Sequence, residues 1–303
     1  MLGVKALARA KVNLFLDVGS RREDGFHQVA TIMQTLDLSD ELYFRRTGGP
    51  GDRISIRCSD PGVPCGPENT VWKAAEVFFR QAGAARSGGV EVFINKRIPI
   101  GAGLAGGSAD GAAALLAMDR VWETALPPSR LEALGAMIGS DVPFCLGGGT
   151  VLATGRGEIL ERLRPLPPYQ VVLASPGKEV STREVYESFD LLPGAGTFPC
   201  HPGALESMLK AVEEQDFKAL CRGLSNRLEE AAGNREETAF FKDTAIRYGA
   251  GGALMTGSGP TVFALAEGLE TAAGTAWELG QVAPLTIVTS FADRGAEVIA
   301  LSG

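Results

Sequence analysis

Residues 98–116 read IPIGAGLAGGSADGAAALL, and the fold turns on what this stretch does. Gly101, Gly103 and Gly106 spell G-x-G-x-x-G, Gly107 follows at once, and an alanine-rich helical pattern runs on from Ser108. In a dinucleotide-binding βαβ unit such glycines follow a buried parallel strand without interruption. Here the preceding strand, residues 90–98, carries Glu91, Asn95, Lys96 and Arg97, which make it half-exposed, and Pro99 stops it before the loop. Glu123, at the right distance for a ribose contact, falls at a helix end before Pro127-Pro128, where a second parallel strand would be required. A loop of the G-x-x-x-x-G-K-[ST] type also fails, because no lysine follows the glycines. What remains is a turn of exposed backbone N–H groups feeding a helix capped by Ser108, whose positive end faces the turn. With Lys96 and Arg97 just upstream, that is phosphate chemistry. Glycine's entropic cost argues against keeping so many for packing alone.

Outward from the loop, apolar periodicity lays out the chain. In residues 11–18, Val12, Leu14, Leu16 and Val18 point one way, and Lys11, Asn13, Phe15 and Asp17 the other. Asp24-Gly25 marks a turn into a strand over residues 29–38, and Asp40 is expected to turn the chain into another at 42–46. Residues 53–58 alternate, and a helix from residue 70 ends at Gly83. Ser129 and Glu132 form a capping-box signature for a short helix ending near Gly139, and residues 139–158 read as loop, strand and turn. The proline-rich LRPLPP, residues 163–168, suggests a boundary between two domains, 1–163 and 164–303. Beyond it come a strand at 169–176 and a helix at 181–189 with a second capping box, Ser181 and Glu184. Helices follow between 204 and 248, then strand, glycine turn and strand in 251–265, a helix near 271–279, and strands at 285–291 and 297–301. Strands in half-exposed alternating runs and helices in separate groups predict an α+β fold with largely antiparallel sheets.

Composition removes several function classes. The 303 residues are 45% hydrophobic and 21% charged, a globular balance. The net charge is −7 and no run of lysine or arginine exceeds a pair, which argues against an extended nucleic acid as partner. Lys5, Arg9 and Lys11 interrupt the N-terminal stretch, so it does not read as a signal peptide, and no apolar run reaches the length of a membrane span. Cys58, Cys65, Cys145, Cys200 and Cys221 form no C-x-x-C, as expected of reduced thiols in a cytoplasmic protein. His27 and His201 are the only histidines, too few for a histidine-based metal site.

Four segments then occur in an order that resembles the GHMP small-molecule kinases: ARAKVNLFLDVGSRREDGFH (8–27), PIGAGLAGGSADGAA (99–113), GSDVPFCLGG (139–148) and MTGSGPTVFAL (255–265). The first resembles the branch whose acceptor is a cytidine-diphosphate polyol on the non-mevalonate route to isoprenoid precursors. The resemblance implies a two-domain kinase fold, ATP with Mg2+, and a small-molecule alcohol as acceptor. Lys11 and Asp141 match the family's catalytic pair, Asp141 as general base and Lys11 as its cationic partner. On turn chemistry alone Asp141 is a turn former, and Asp110, in the first turn of the loop helix, is a rival base by type that reads as structural.

The same resemblance places adenine near Asn69 and Lys96 and the triphosphate on Gly103, Gly106, Gly107 and Ser108, with Pro99, Gly101 and Leu104 bordering it. Asn69 reads equally as a helix cap. Many relatives carry Ser-Ser where this chain has Ser108-Ala109, leaving Ser108 as the one side-chain hydroxyl offered to phosphate or metal. The cytidine end would meet Phe26, His27 and Tyr186, with Asn13 near the transferred group and Gly257 and Ser258 shaping the substrate side. Relatives often carry Tyr where Phe26 stands; stacking survives that change. Rival readings are a kinase of the same family acting on mevalonate or homoserine, an NAD-dependent oxidoreductase, and a nucleotide-binding module without activity.

Overall fold

Two long strands organise the molecule. In the computed structural model, which describes residues 3–48, 54–81, 88–199 and 201–300, β1 (Gly3–Arg21) and β2 (His27–Thr47) form an antiparallel hairpin around the Asp24-Gly25 turn. The helix end expected at Gly83, together with Arg53, Cys200 and Leu301, lies outside the described residues. Asp40 does not turn the chain. It is fully buried inside β2, where its carboxylate accepts hydrogen bonds from the backbone N–H of Arg97 and Ile98 and from Lys96. A buried carboxylate satisfied in this way can stay in a strand that sequence chemistry would break there.

The first sheet has the order β12-β1-β2-β4-β3, where β3 is Ile54–Cys58, β4 is Gly89–Asn95 and β12 is Glu297–Ala300. β5 (Thr150–Thr154) adds to β2 and carries β6 (Ile159–Arg162), while β8 (Ser225–Asn226) lies beside β1. A second sheet has the order β11-β7-β10-β9, from Leu285–Ser290, Gln170–Ser175, Val262–Ala266 and Gly252–Met255. Among the described residues only β3 with β4 and β1 with β8 pair in parallel, so the α+β fold with largely antiparallel sheets is what the chain adopts.

Helices α1 (Thr70–Gln81) and α2 (Gly106–Trp122) cover the first sheet. The alanines of α2, from Ala109 to Ala117, are fully buried between the sheet and α1, where small side chains let a helix approach closely. Short helices α3 (Pro128–Ala136) and α4 (Val142–Gly147) follow. The Ser129–Glu132 capping box does not form. α3 starts two residues earlier than that box would set it, with Pro127 at the cap, because Pro128 carries a preset φ and has no N–H to satisfy at that position. α4 went unread because six residues are too few to show a helical period.

The two central strands of the second sheet, β7 and β10, are buried on both faces. Along β7, Val171 and Leu173 pack toward β1 and β2, while Val172 and Ala174 pack toward α8 (Arg235–Arg247) and α9 (Leu269–Leu279). β10 divides the same way, with Phe263 and Leu265 against Val262 and Ala264. These strands are continuous apolar runs rather than half-exposed ones. Each fully buried side chain of this kind contributes roughly 1.5–3 kcal/mol of transfer free energy. Residues 163–169 lead from β6 into β7, and the apolar cluster beside them takes Val12, Leu14 and Ile32 from one side and Leu173, Leu254 and Phe263 from the other. Helices α5 (Thr182–Asp190), α6 (Ala204–Glu214) and α7 (Phe217–Gly223) complete the second half. At α5 the Ser181 cap forms, its hydroxyl accepting from Glu184 N–H. Among the described residues no helix is long and apolar enough to cross a membrane.

Candidate active site

Three backbone stretches from distant parts of the chain are stitched together at one point. Lys11 N–H donates to the Leu104 carbonyl at 3.1 Å, and Asn13 N–H donates to Thr256 Oγ1 at 3.1 Å. Thr256 Oγ1 in turn donates to the Gly103 carbonyl at 3.4 Å. Gly103 has φ +73°, and a Cβ there would lie 2.5 Å from the Thr256 carbonyl oxygen, so the two glycine loops can meet only with glycine at 103. This seam borders a cavity of about 910 Å³.

Lys11 and Asp141 face each other across the cavity. Their Nζ and Oδ2 atoms are 3.8 Å apart, with Lys11 buried and the Asp141 side chain 37% exposed. β1 changes register between Arg9 and Lys11 and again between Asn13 and Phe15, and such bulges re-aim side chains. Lys11 Nζ donates to Asn13 Oδ1 at 2.7 Å, Asn13 Nδ2 donates to Thr31 Oγ1 at 2.8 Å, and Thr31 Oγ1 donates to the Phe15 carbonyl at 2.7 Å. The ammonium is thus held by a chain of buried partners. Asp141 precedes α4 but makes no capping bond, which leaves its carboxylate free toward the cavity.

One end of the cavity is the glycine loop. Pro99, Gly101, Gly103, Leu104, Gly106 and Gly107 line it, joined by Asn69 and Lys96. Asn69 is also the cap of α1, with Oδ1 accepting from Val71 N–H and Nδ2 donating to the Pro64 carbonyl. Ser108 is not the helix cap. Ala105 takes that place in the left-handed conformation, φ 56°, so α2 begins at Gly106 and Ser108 sits half-buried on its first turn, outside the residues that line the cavity. Asp110 accordingly falls in the second turn rather than the first.

The other end is aromatic. Phe26, half exposed, follows the β1–β2 turn with the Arg156 guanidinium 5.2 Å from its ring centre. His27 is buried, and its ring centre lies 4.9 Å from that of Tyr186. Gly257 and Ser258 border the same space, and the hydroxyls of Ser258 and Thr182 are 2.9 Å apart.

Residues 69–149 match the family described as GHMP kinases N terminal domain, and residues 208–278 match GHMP kinases C terminal. A 4-diphosphocytidyl-2-C-methyl-D-erythritol kinase of Pelotomaculum thermopropionicum is 46% identical over 270 residues, covering 89% of this chain and 91% of its own. The chain belongs to the GHMP kinase family. A kinase of the same description from Geobacillus thermodenitrificans is 43% identical, with 88% of each chain covered. A crystal structure of 4-(cytidine 5'-diphospho)-2C-methyl-D-erythritol kinase superposes with a TM-score of 0.76 at 34% identity, over 95% of this chain and 98% of the other. Homoserine kinase from Cytophaga hutchinsonii, 22% identical with a TM-score of 0.78, shares the fold. As a GHMP kinase the chain is an ATP-dependent phosphotransferase.

In this GHMP kinase the Lys96 charge is not free for phosphate. Its ammonium donates to Asp40 and, at 3.0 Å, to Asp110, and all three side chains are nearly inaccessible to water. Burial would lower the Lys96 pKa, but Asp110 and Asp40 outweigh it and hold the ammonium above its ordinary value of 10.5. Two buried carboxylates share one cation. Burial, opposed by Lys96 and reinforced by Asp40, pushes Asp110 up to about 8. Asp110 Oδ1 has no hydrogen-bond partner among the described residues. Burial, with Asp141 nearby, pushes the Tyr186 phenol up to about 12, and burial raises the Cys145 thiol well above its usual range.

Several site residues escaped the sequence reading. Thr256 immediately precedes the second glycine motif, and that position was its only signal. Asp40 looked like a turn, and Arg156 like part of a surface turn. Asp190 was legible in principle, because it lies four residues after Tyr186 on one helix and therefore shares its face.

Proposed function

We propose that this kinase transfers the γ-phosphoryl group of ATP to the 2-hydroxyl of 4-diphosphocytidyl-2-C-methyl-D-erythritol. One observation carries the reading: Lys11 and Asp141 meet in a single cavity that has glycine-loop amides at one end and an aromatic cluster at the other. The relatives, named as 4-diphosphocytidyl-2-C-methyl-D-erythritol kinases, supply the acceptor. The Asp141 carboxylate takes the proton of the acceptor hydroxyl as its oxygen attacks the γ-phosphorus. ADP leaves with the bridging oxygen. Lys11, 3.8 Å from Asp141, orients its carboxylate and offsets charge on the phosphoryl oxygens in transit. The loop amides of Gly103, Gly106 and Gly107 hold the phosphates, with adenine toward Asn69 and Lys96. Phe26, His27 and Tyr186 take the cytidine, Asn13 lies by the reacting group, and Gly257 and Ser258 shape that wall.

Among the described residues no three His, Cys, Asp or Glu side chains are grouped to hold a metal. A magnesium ion would come in on the triphosphate and keep most of its own water; Ser108, the hydroxyl the sequence offers it, lies on the first turn of α2 outside the cavity lining. When bound, the ion neutralises phosphate charge. On this reading residues 1–163 bind ATP and residues 164–303 complete the substrate cleft. The described cysteines, all free, suit a cytoplasmic setting.

The test is ADP release by purified protein supplied with this substrate, with mevalonate and homoserine as comparators. Turnover confined to the cytidylated alcohol supports the proposal. A folded, ATP-binding protein that leaves it untouched, or prefers a comparator, ends it.

A further inference from the structure

Deep in the aromatic end of the cavity, His27 Nε2 stands 2.7 Å from Asp190 Oδ1. A carboxylate accepts hydrogen bonds and an imidazole nitrogen can donate one, so this contact places a proton on Nε2. Tyr186 and Asp190, four apart on α5, reach the ring together: one packs against its face at 4.9 Å and the other holds its edge. The edge of Phe189 meets the ring at 6.1 Å. His27 is thereby fixed in both orientation and tautomer. Its other nitrogen, Nδ1, makes no hydrogen bond among the described residues, although His27, Tyr186 and Asp190 all line the cavity. Position 27 follows Phe26, whose ring is open to the same space.

We propose that Asp190 is a specificity-determining residue that selects a 4-aminopyrimidine over a 4-oxopyrimidine in the acceptor substrate. With the proton held on Nε2, Nδ1 presents a lone pair. A cytosine ring turns its exocyclic amine toward that lone pair and donates to it. A uracil ring at the same place brings a carbonyl oxygen, and two acceptors face each other in a partly desolvated pocket. The inference rests on the cytidylated acceptor proposed above. Asp190 touches neither the reacting atoms nor the nucleotide donor; it acts through the histidine, as a positioning residue.

Two measurements test it. Nitrogen-15 NMR of histidine-labelled full-length protein at slightly alkaline pH has only two rings to assign, and His201→Gln identifies the second. The expected spectrum for His27 is neutral with the proton on Nε2; a proton on Nδ1, alone or in a doubly protonated ring, overturns the proposal. The second measurement compares kcat/KM for the cytidylated acceptor and its uridylated counterpart. Wild type should prefer the former by about tenfold or more, the discrimination expected when a buried acceptor is left facing another acceptor. Asp190→Asn should bring that ratio close to one while binding of an ATP analogue holds. A merely structural role for Asp190 would weaken both substrates alike and leave the ratio untouched, which would refute the inference. Wild type without preference sinks the cytidine reading and this inference together. Wild-type preference that survives Asp190→Asn sinks the inference alone.

Discussion

Replacing Gly103 by alanine tests whether the seam between the two glycine loops builds the site. Two costs can be read from the geometry. The residue has φ +73°, a left-handed conformation that costs an L side chain roughly 1–2 kcal/mol. The added Cβ would also sit 2.5 Å from the Thr256 carbonyl oxygen and 3.0 Å from that of Gly259, where ordinary contact begins at 3.4 Å. Neither neighbour is the far end of a flexible side chain, so backbone must shift, an overpacking cost of roughly 1–3 kcal/mol. Together the expected destabilisation is about 2–5 kcal/mol. With an unfolding entropy of roughly 2.1 cal/mol/K per residue, a chain of 303 residues shifts by about 1.6 °C per kcal/mol, so the melting temperature should fall by at least about 3 °C. The shift also moves the loop relative to Lys11 and Asn13, which are bonded to the same seam, and a misplacement of about 1 Å can cost on the order of 100-fold in rate. The assay pairs thermal unfolding with ATP-dependent ADP release. Gly268→Ala is the control, because that glycine has φ −140° and open space around its Cβ position. A Gly103→Ala protein as stable and as active as the Gly268→Ala control would show that the loops do not depend on this contact.

Asp141→Asn should lower kcat by on the order of 10²–10⁴, the usual contribution of a general base, with little change in KM for ATP; steady-state kinetics showing near-normal kcat would refute the base assignment. Asp110→Asn should alter the pH dependence of stability. The folded pKa of about 8 lies above the unfolded value of 3.8, so the folded protein binds the extra proton and stability falls as pH rises between them. The advantage of Asp110→Asn over wild type in melting temperature should therefore grow from acid pH to above about 8; an advantage that stays flat or shrinks over that range would show that Asp110 ionises freely beside Lys96.

Much of the site was readable in the sequence because its chemistry is carried by local pattern. The glycine run, the alternation that puts Lys11 and Asn13 on one face, and the Ser181 cap depend on backbone preferences acting over a few residues. The order of the motifs supplied the family. Elements whose identity rests on partners far along the chain were not readable. Asp40 stays in a strand because amides at 97 and 98 and the Lys96 ammonium satisfy it. β7 and β10 look like ordinary apolar strands until helices and the first sheet are packed on opposite faces.

By itself the sequence determined that a glycine-rich turn precedes an alanine-rich helix, and that a lysine strand and an aspartate segment accompany it. Only the tertiary structure decided that Lys11 and Asp141, 130 positions apart in the chain, stand 3.8 Å from each other. It also decided that Lys96 is neutralised by two carboxylates, and that His27, at the start of β2, is held by an aspartate from α5. The physical reason is common to all three. Charges and hydrogen-bonding groups taken out of water must find partners, and which partner is within reach is set by the packing of distant elements rather than by neighbours in the chain.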